Sequence, residues 1–194
     1  METRSLMVPA AEAAARIVRD VPTDRLDAPT PCPDWSVRDV VNHLIYWSAR
    51  GATAAHKQQP PPGPGEDHDF TAEGDWAELY AVQVRKSAEA WSEAAAWEGQ
   101  TSLSGAQPGM PAPMIGGMLL GECVLHGWDL AVATGQPAAF PGEIVQAAYD
   151  QLVPTAEMGR QYDAFGPEVP VPDTAPLLDR LLGLSGRDPR WKPA

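Results

Sequence analysis

Glu122 and His126 stand four positions apart in the segment GECVLHGWDLAVATG. At about 3.6 residues per turn, an i, i+4 pair lies about 40° apart around a helix, so both side chains project from one face, one turn apart. The same face carries Ile115, Met118, Leu119, Leu130 and Ala133. A carboxylate and an imidazole within an apolar stripe are unfavourable to bury unless each has a strong partner, and a divalent cation is one such partner. Two ligands do not make a site. His43, between Val40 and Trp47 on the apolar side of another helical segment, is the candidate third. The residues alone also allow a plainer arrangement, in which His43 and His126 are core histidines hydrogen-bonded to Glu122. His56, at a helix end, and His68, in the acidic stretch EDHD, read as solvated surface residues.

These residues have to be positioned by helices. Residues 9–20 carry Ala11, Ala14, Ala15 and Val18 on one side. A Pro/Asp-rich stretch over 21–34 follows. Ser36 then reads as an N-cap with Asp39 at the capping-box spacing. The second helix is predicted over 36–57, where Val37, Val40, Val41, Leu44, Ile45 and Trp47 keep the helical period. QQPPPGPGEDHDF at 58–70 cannot be regular structure, because proline removes donors and blocks helix. A third helix is predicted over 74–97 on the stripe Trp76, Leu79, Tyr80, Val84, Ala88, Trp91 and Ala95. A Gly/Pro segment over 98–112 leads to a fourth helix over 113–134 that stops at Gly135. A fifth is predicted over 141–159 and a short last one over 174–184. No internal repeat and no useful strand alternation appears. The reading is an all-α antiparallel four-helix bundle with an additional C-terminal helix and tail, one domain over 1–194.

Composition narrows the function classes. With 14 Lys+Arg against 26 Asp+Glu, the formal net charge is −12. Nothing resembles a basic patch, so neither nucleic acid nor an anionic membrane surface is an expected partner. No apolar run reaches about 18 residues, the length a spanning helix needs. The N-terminus lacks the basic flank and apolar core of a signal peptide. Cys32 and Cys123, 91 positions apart, read as free thiols of a cytoplasmic chain.

Three segments resemble a known family. TPCPDWSVRDVVNHL at 30–44, ECVLHGWDLAVATG at 122–135 and the tail FGPEVPVPDTAPLLDRLLGLSGRDPRW at 165–191 occur here in order. They are similar to the DinB/YfiT-like metal-binding bundles. Within these they match the branch of mycothiol-dependent maleylpyruvate isomerases and their short actinobacterial relatives. The resemblance implies a four-helix bundle in which His43, Glu122 and His126 ligate a divalent metal ion, zinc or nickel. It also implies mycothiol as a cosubstrate. One departure stands out. The thiol-dependent isomerases carry a further C-terminal domain that contributes to the active site, whereas only a short tail follows the last helix here. The expectation that transfers is therefore the metal site rather than the isomerase activity.

Three ligands of this kind leave at least one coordination position open, the mark of catalytic rather than structural metal sites. The functional expectation is a metal-dependent thiol S-transferase or isomerase acting on a small electrophile. A non-catalytic metal-binding protein and a thiol-independent Lewis-acid tailoring enzyme of secondary metabolism are the alternatives. The expected partners are a small-molecule substrate or thiol and, through helix faces, a second copy in a homodimer. Asp129, one turn beyond His126, can accept a hydrogen bond from a ligand imidazole or sit as a structural residue. Trp35 and Trp128 are expected to pack between helices, and Cys123 and Cys32 to be structural. Arg160 and Arg180 are expected in surface charge pairs, with an anionic substrate as their other use. Both irregular stretches, 58–70 and 104–113, are expected to border an open cleft beside the metal.

Overall fold

The computed structural model describes residues 2–193; positions 1 and 194 of the expected 1–194 unit lie outside the described residues. Four long helices form the body: α1 (Met7–Arg19), α2 (Val37–Ala55), α3 (Trp76–Ser92) and α4 (Ala112–Thr134). Three shorter helices follow: α5 (Gly142–Leu152), which packs on α4, then α6 (Ala156–Gln161) and α7 (Leu177–Leu184), the last packing on α5. The only strands among the described residues are β1 (Gln100–Thr101) and β2 (Met110–Pro111), an antiparallel pair that closes the approach to α4. The all-α bundle is therefore what folds.

Helix α2 begins where the sequence signals it. Asp39 N–H donates to Ser36 Oγ, and Ser36 N–H donates back to Asp39 Oδ2 at 2.8 Å, a complete capping box. Helix α4 ends at Gly135, whose φ of 74° is the left-handed conformation that favours glycine.

Each of α3 and α4 packs on both α1 and α2, which makes a four-sided bundle. Side-chain pairings give the helix directions. Glu12 pairs with Arg85 and Arg19 with Glu78, so α1 and α3 are antiparallel. His43 meets Glu122 near one end of α2, and Ala54 at the other end accepts from Thr101 just ahead of α4, so α2 and α4 are antiparallel too. Ser48 meets Gln83 and Gly51 meets Trp91, so α2 and α3 run the same way. That direction explains the long Pro-rich stretch between them. A helix of 17 residues is about 25 Å long, and the chain must travel back along it before α3 can start. The α2–α3 contact is close because residue 51 is glycine: a Cβ there would collide with the Ser87 hydroxyl. The Trp91 indole N–H donates to the Gly51 carbonyl at 2.9 Å, and Trp91 is fully buried.

The same-direction pairing of α2 and α3 departs from the antiparallel order expected of neighbouring helices, and three further features depart from the sequence reading. The fifth helix does not run through 141–159. It breaks after Leu152 at Pro154, which has no N–H to give and whose ring clashes with the carbonyl four residues back. The third helix stops at Ser92; a 3-10 turn over Ala94–Trp97 lets Trp97 fold back edge-on to Trp91 and donate to its carbonyl. Helix α4 is not one-faced. Ile144, Val145, Ala148 and Leu152 of α5 are buried against it, so α4 is covered on nearly all sides, while Met118, expected in the core stripe, is exposed. By length and composition α4 would pass as a membrane span, but most of it is buried inside the bundle.

Candidate metal centre

Helices α2 and α4 bring His43, Glu122 and His126 together. One ligand-type atom from each lies within 4.8 Å of the others. His43 Nε2 is 2.9 Å from Glu122 Oε2, and His126 Nε2 is 3.5 Å from the same oxygen. The three are graded in exposure: the side chain of His126 keeps 10% of its surface, that of His43 17% and that of Glu122 33%. The cluster is thus open on the Glu122 side and closed behind His126.

Behind His126 lies a second layer. Asp129, fully buried, meets His126 Nδ1 at 2.9 Å. Burial pushes the Asp129 carboxyl up, but the Arg187 guanidinium and the His126 hydrogen bond outweigh it and hold it well below the usual carboxylate range. An ionised carboxylate only accepts, so Nδ1 of His126 donates to Asp129 and Nε2 is the nitrogen turned toward Glu122. Arg187, also buried, donates from Nε to Asp129 Oδ1 at 2.8 Å and from Nη2 to Oδ2 at 2.7 Å. Its Nη1 donates to Ser185 Oγ at 3.2 Å.

Glu122 is placed for the same reason in reverse. Partial burial pushes its carboxyl up, yet His126, the hydrogen bond from His43 and the more distant Arg187 bring it down to about 2. For His43, burial works against the charged form, but Glu122 and then Glu66 more than offset it and raise the ring's pKa.

A second group of potential ligands, Cys32, His126 and Asp129, also converges. Its cation position is already taken: Arg187 Nη2 lies 2.7 Å from Asp129 Oδ2, 3.4 Å from His126 Nδ1 and 3.5 Å from Cys32 Sγ. In the first group, among the described residues, no lysine or arginine pairs with Glu122, whose partners are His43 and His126. His126 Nε2 stands 3.5 Å from Glu122 Oε2, and His43 Nδ1 is buried without a hydrogen-bond partner. A donor set of two imidazoles and one carboxylate, converging within 4.8 Å, fits a divalent cation.

Other expectations sort as follows. Trp128 is a core residue, 4% exposed. Trp35 does more than pack between helices: its ring stacks on His126 at 5.6 Å and sits 4.7 Å from His43, forming a wall of the cluster. Cys32 reaches Asp129 Oδ2 at 3.3 Å, and Cys123 is buried; burial is the main reason both thiols are pushed up to about 12. Arg160 pairs with Glu157 and donates to the Leu184 carbonyl, while Arg180 donates to the Tyr149 hydroxyl, so both are structural. His68 pairs with Glu73 in an exposed position, and His56 caps α2. Of the two irregular stretches, only the Pro-rich one reaches the cluster, through Glu66. The segment over 104–113 lies at the other end of the bundle, where Gly105 approaches Gln59 and Pro60. Sequence reasoning missed Arg187 and Glu66. Arg187 stands in the SGRDPRW run of the tail, which is the signal that could have drawn attention to it.

Comparison with known proteins agrees with this architecture. The crystal structure of a histidine-to-alanine mutant of the mycothiol-dependent maleylpyruvate isomerase superposes with a TM-score of 0.54 at 17% identity, covering 84% of this chain and 70% of that one. At that identity the likeness is one of fold. Uncharacterised proteins from two Mycobacterium tuberculosis strains, CDC 1551 / Oshkosh and ATCC 25618 / H37Rv, are each 29% identical over 188 residues, which is 93% of this chain and 95% of theirs. The model of the mycothiol maleylpyruvate isomerase N-terminal domain matches residues 8–131, a span that includes α1 from its second residue, all of α2 and α3, and the three clustered residues of α2 and α4. With well over half of its length matched, the chain belongs to the mycothiol maleylpyruvate isomerase N-terminal domain family.

Proposed function

We propose that His43, Glu122 and His126 hold a divalent ion, zinc or nickel, and that the protein is a metal-dependent transferase or isomerase that uses mycothiol on a small electrophile. The observation that carries the metal reading is the orientation of His126. Asp129 fixes its proton on Nδ1, so Nε2 is a ready ligand aimed at the Glu122 carboxylate. The thiol comes from the family to which the chain belongs.

With two neutral imidazoles and one carboxylate, the ligands leave a divalent ion a net charge of about +1 and at least one open position. When bound, such an ion supplies Lewis acidity, which favours the thiolate form of a thiol and polarises a carbonyl. The protein does the remaining work. Arg187 and Asp129 keep His126 in one tautomer and one orientation. Trp35 covers the two imidazoles and excludes water from that side. The partly exposed edge of Glu122 is where a ligand enters. A crevice bordered by Leu44, Trp47, Tyr80, Val84 and Leu119 runs up to Glu122 and offers an apolar surface to an electrophile.

The test has two stages. Metal analysis of purified protein, with and without the His126→Ala change, addresses the ion. Consumption of a small electrophile such as maleylpyruvate by the loaded protein, with mycothiol present and then omitted, addresses the reaction. Metal binding without thiol-dependent turnover would favour a non-catalytic or thiol-independent role.

A further inference from the structure

The two imidazoles of the cluster are not equally supported. His126 has Asp129 behind its Nδ1 at 2.9 Å. His43 spends its Nε2 on Glu122, and its Nδ1 is buried with no hydrogen-bond partner. The acceptor facing that atom is Glu66 Oε1, at 3.7 Å, beyond hydrogen-bond distance. Glu66 does not face it by chance of a free side chain. The Trp47 indole N–H donates to the same Oε1 at 3.0 Å and holds the carboxylate beside His43 Nδ1.

A neutral imidazole carries one proton. If Nε2 gives its lone pair to an ion, the proton that now serves Glu122 must sit on Nδ1. A buried Nδ1–H then needs an acceptor, and metal-ligating histidines nearly always have one. The displacement required is under an ångström, from 3.7 Å to ordinary hydrogen-bond length. The segment carrying Glu66 can supply it. The crossover is tied at its start by Lys57, whose Nζ donates to the carbonyls of Ala95 and Ala96. At its end Asn42 and Arg38 donate to Asp69. Between these ties, Gly63 has open space around its Cα and the Glu66 side chain is 55% exposed.

We propose that Glu66 is the positioning residue of His43: it accepts the Nδ1–H when Nε2 ligates the ion, so that metal binding draws the crossover over 58–69 down onto the site. This rests on the metal reading of the cluster, and the experiment separates the two.

The full-length protein is titrated with Zn(II) against a chromophoric chelator, as wild type and as Glu66→Ala, Glu66→Gln, Trp47→Phe and His126→Ala. Amide hydrogen exchange of residues 63–69 is followed with and without Zn(II), and the visible spectrum of the Co(II) form is recorded. Glu66→Ala is expected to weaken Zn(II) binding by about 10- to 100-fold, to abolish the metal-induced slowing of exchange and to shift the Co(II) bands. Glu66→Gln, whose amide oxygen still accepts, is expected to restore most of the affinity and the wild-type spectrum. Trp47→Phe is expected to fall between the two. Glu66 is exposed, so the thermal unfolding of the metal-free variants should be unmoved. Wild-type affinity in Glu66→Ala together with exchange indifferent to Zn(II) would overturn the role of Glu66 and leave the metal centre standing. Failure of the wild type to bind, or full binding by His126→Ala, would overturn the metal centre itself and this inference with it.

Discussion

Arg187 and Asp129 form a two-pronged ion pair in the interior, at 2.8 and 2.7 Å, joining the residue that orients His126 to the chain beyond α7. The pair is 58 positions apart in sequence, and both partners are buried. The tail thereby becomes part of the support of the candidate metal centre. Breaking one side of such a pair strands the other charge in a medium that does not solvate it, which typically costs about 3–5 kcal/mol. Arg187→Met is expected to lose stability of about that size, read by urea or guanidinium unfolding. Replacing both partners, Asp129→Asn with Arg187→Met, should lose less than Arg187→Met alone, because no unpaired charge remains.

The same pair sets an acid limit. Asp129 is held well below its ordinary pKa of about 3.9 in the folded state. A group with a depressed folded pKa contributes stability above its unfolded pKa and loses that contribution as pH falls toward the folded value. The metal-free protein is therefore expected to lose stability from about pH 4 downward. The Asp129→Asn, Arg187→Met double variant should show a shallower fall over the same range. Equal slopes for the two proteins would place the acid sensitivity elsewhere.

The central ligands are expected to behave differently from their supports. His43→Ala, Glu122→Gln and His126→Ala should each lower metal affinity by more than the about 10- to 100-fold lost when an outer partner is removed. All three should keep the helical circular dichroism of the parent, because the bundle core of α1, α2 and α3 does not depend on them. A variant that keeps full metal content would remove that residue from the site.

How far this was legible from sequence depends on whether a signal is local. Ser36 and Asp39 lie three residues apart, so the start of α2 could be read directly, and the capping box is there. Glu122 and His126 share a helical turn, which is why they could be singled out. Trp35 sits beside this cap, yet its stacking on His126 depends on how α2 and α4 pack, which no periodicity states. The roles of Glu66 and Arg187 are set by partners 23 and 58 positions away, His43 and Asp129, and the intervening segments carry no pattern that gives a distance. The break at Pro154 is local too, because proline itself ends a helix, and the predicted span 141–159 runs through it.

The two protein thiols are expected to stand apart from the chemistry. With burial pushing Cys32 and Cys123 up to about 12, their thiolate fraction at pH 8 is of the order of one in ten thousand, and the thiolate is the reactive form. Native protein should therefore label very slowly with iodoacetamide at that pH, while the unfolded chain should label at both positions. Cys32→Ala should leave any mycothiol-dependent turnover in place. Its loss in a variant that still binds metal would make Cys32 a participant.

Gly51 tests the packing that sets the bundle. In an exposed helix a glycine-to-alanine change stabilises by about 1 kcal/mol, because alanine is the better helix former. At position 51 the new methyl would meet the Ser87 hydroxyl, and it would push on the contact that lets Trp91 donate to the Gly51 carbonyl. Overfilling a tight contact of this kind costs about 1–3 kcal/mol, so Gly51→Ala is expected to be net destabilising despite the better propensity. The double change Gly51→Ala with Ser87→Gly removes the collision but moves the glycine into α3, so its stability should return toward that of the parent, with the two effects strongly non-additive in denaturant unfolding. Additive values would mean that α2 and α3 do not touch at this point, and the same-direction pairing of the two helices would have to be redrawn.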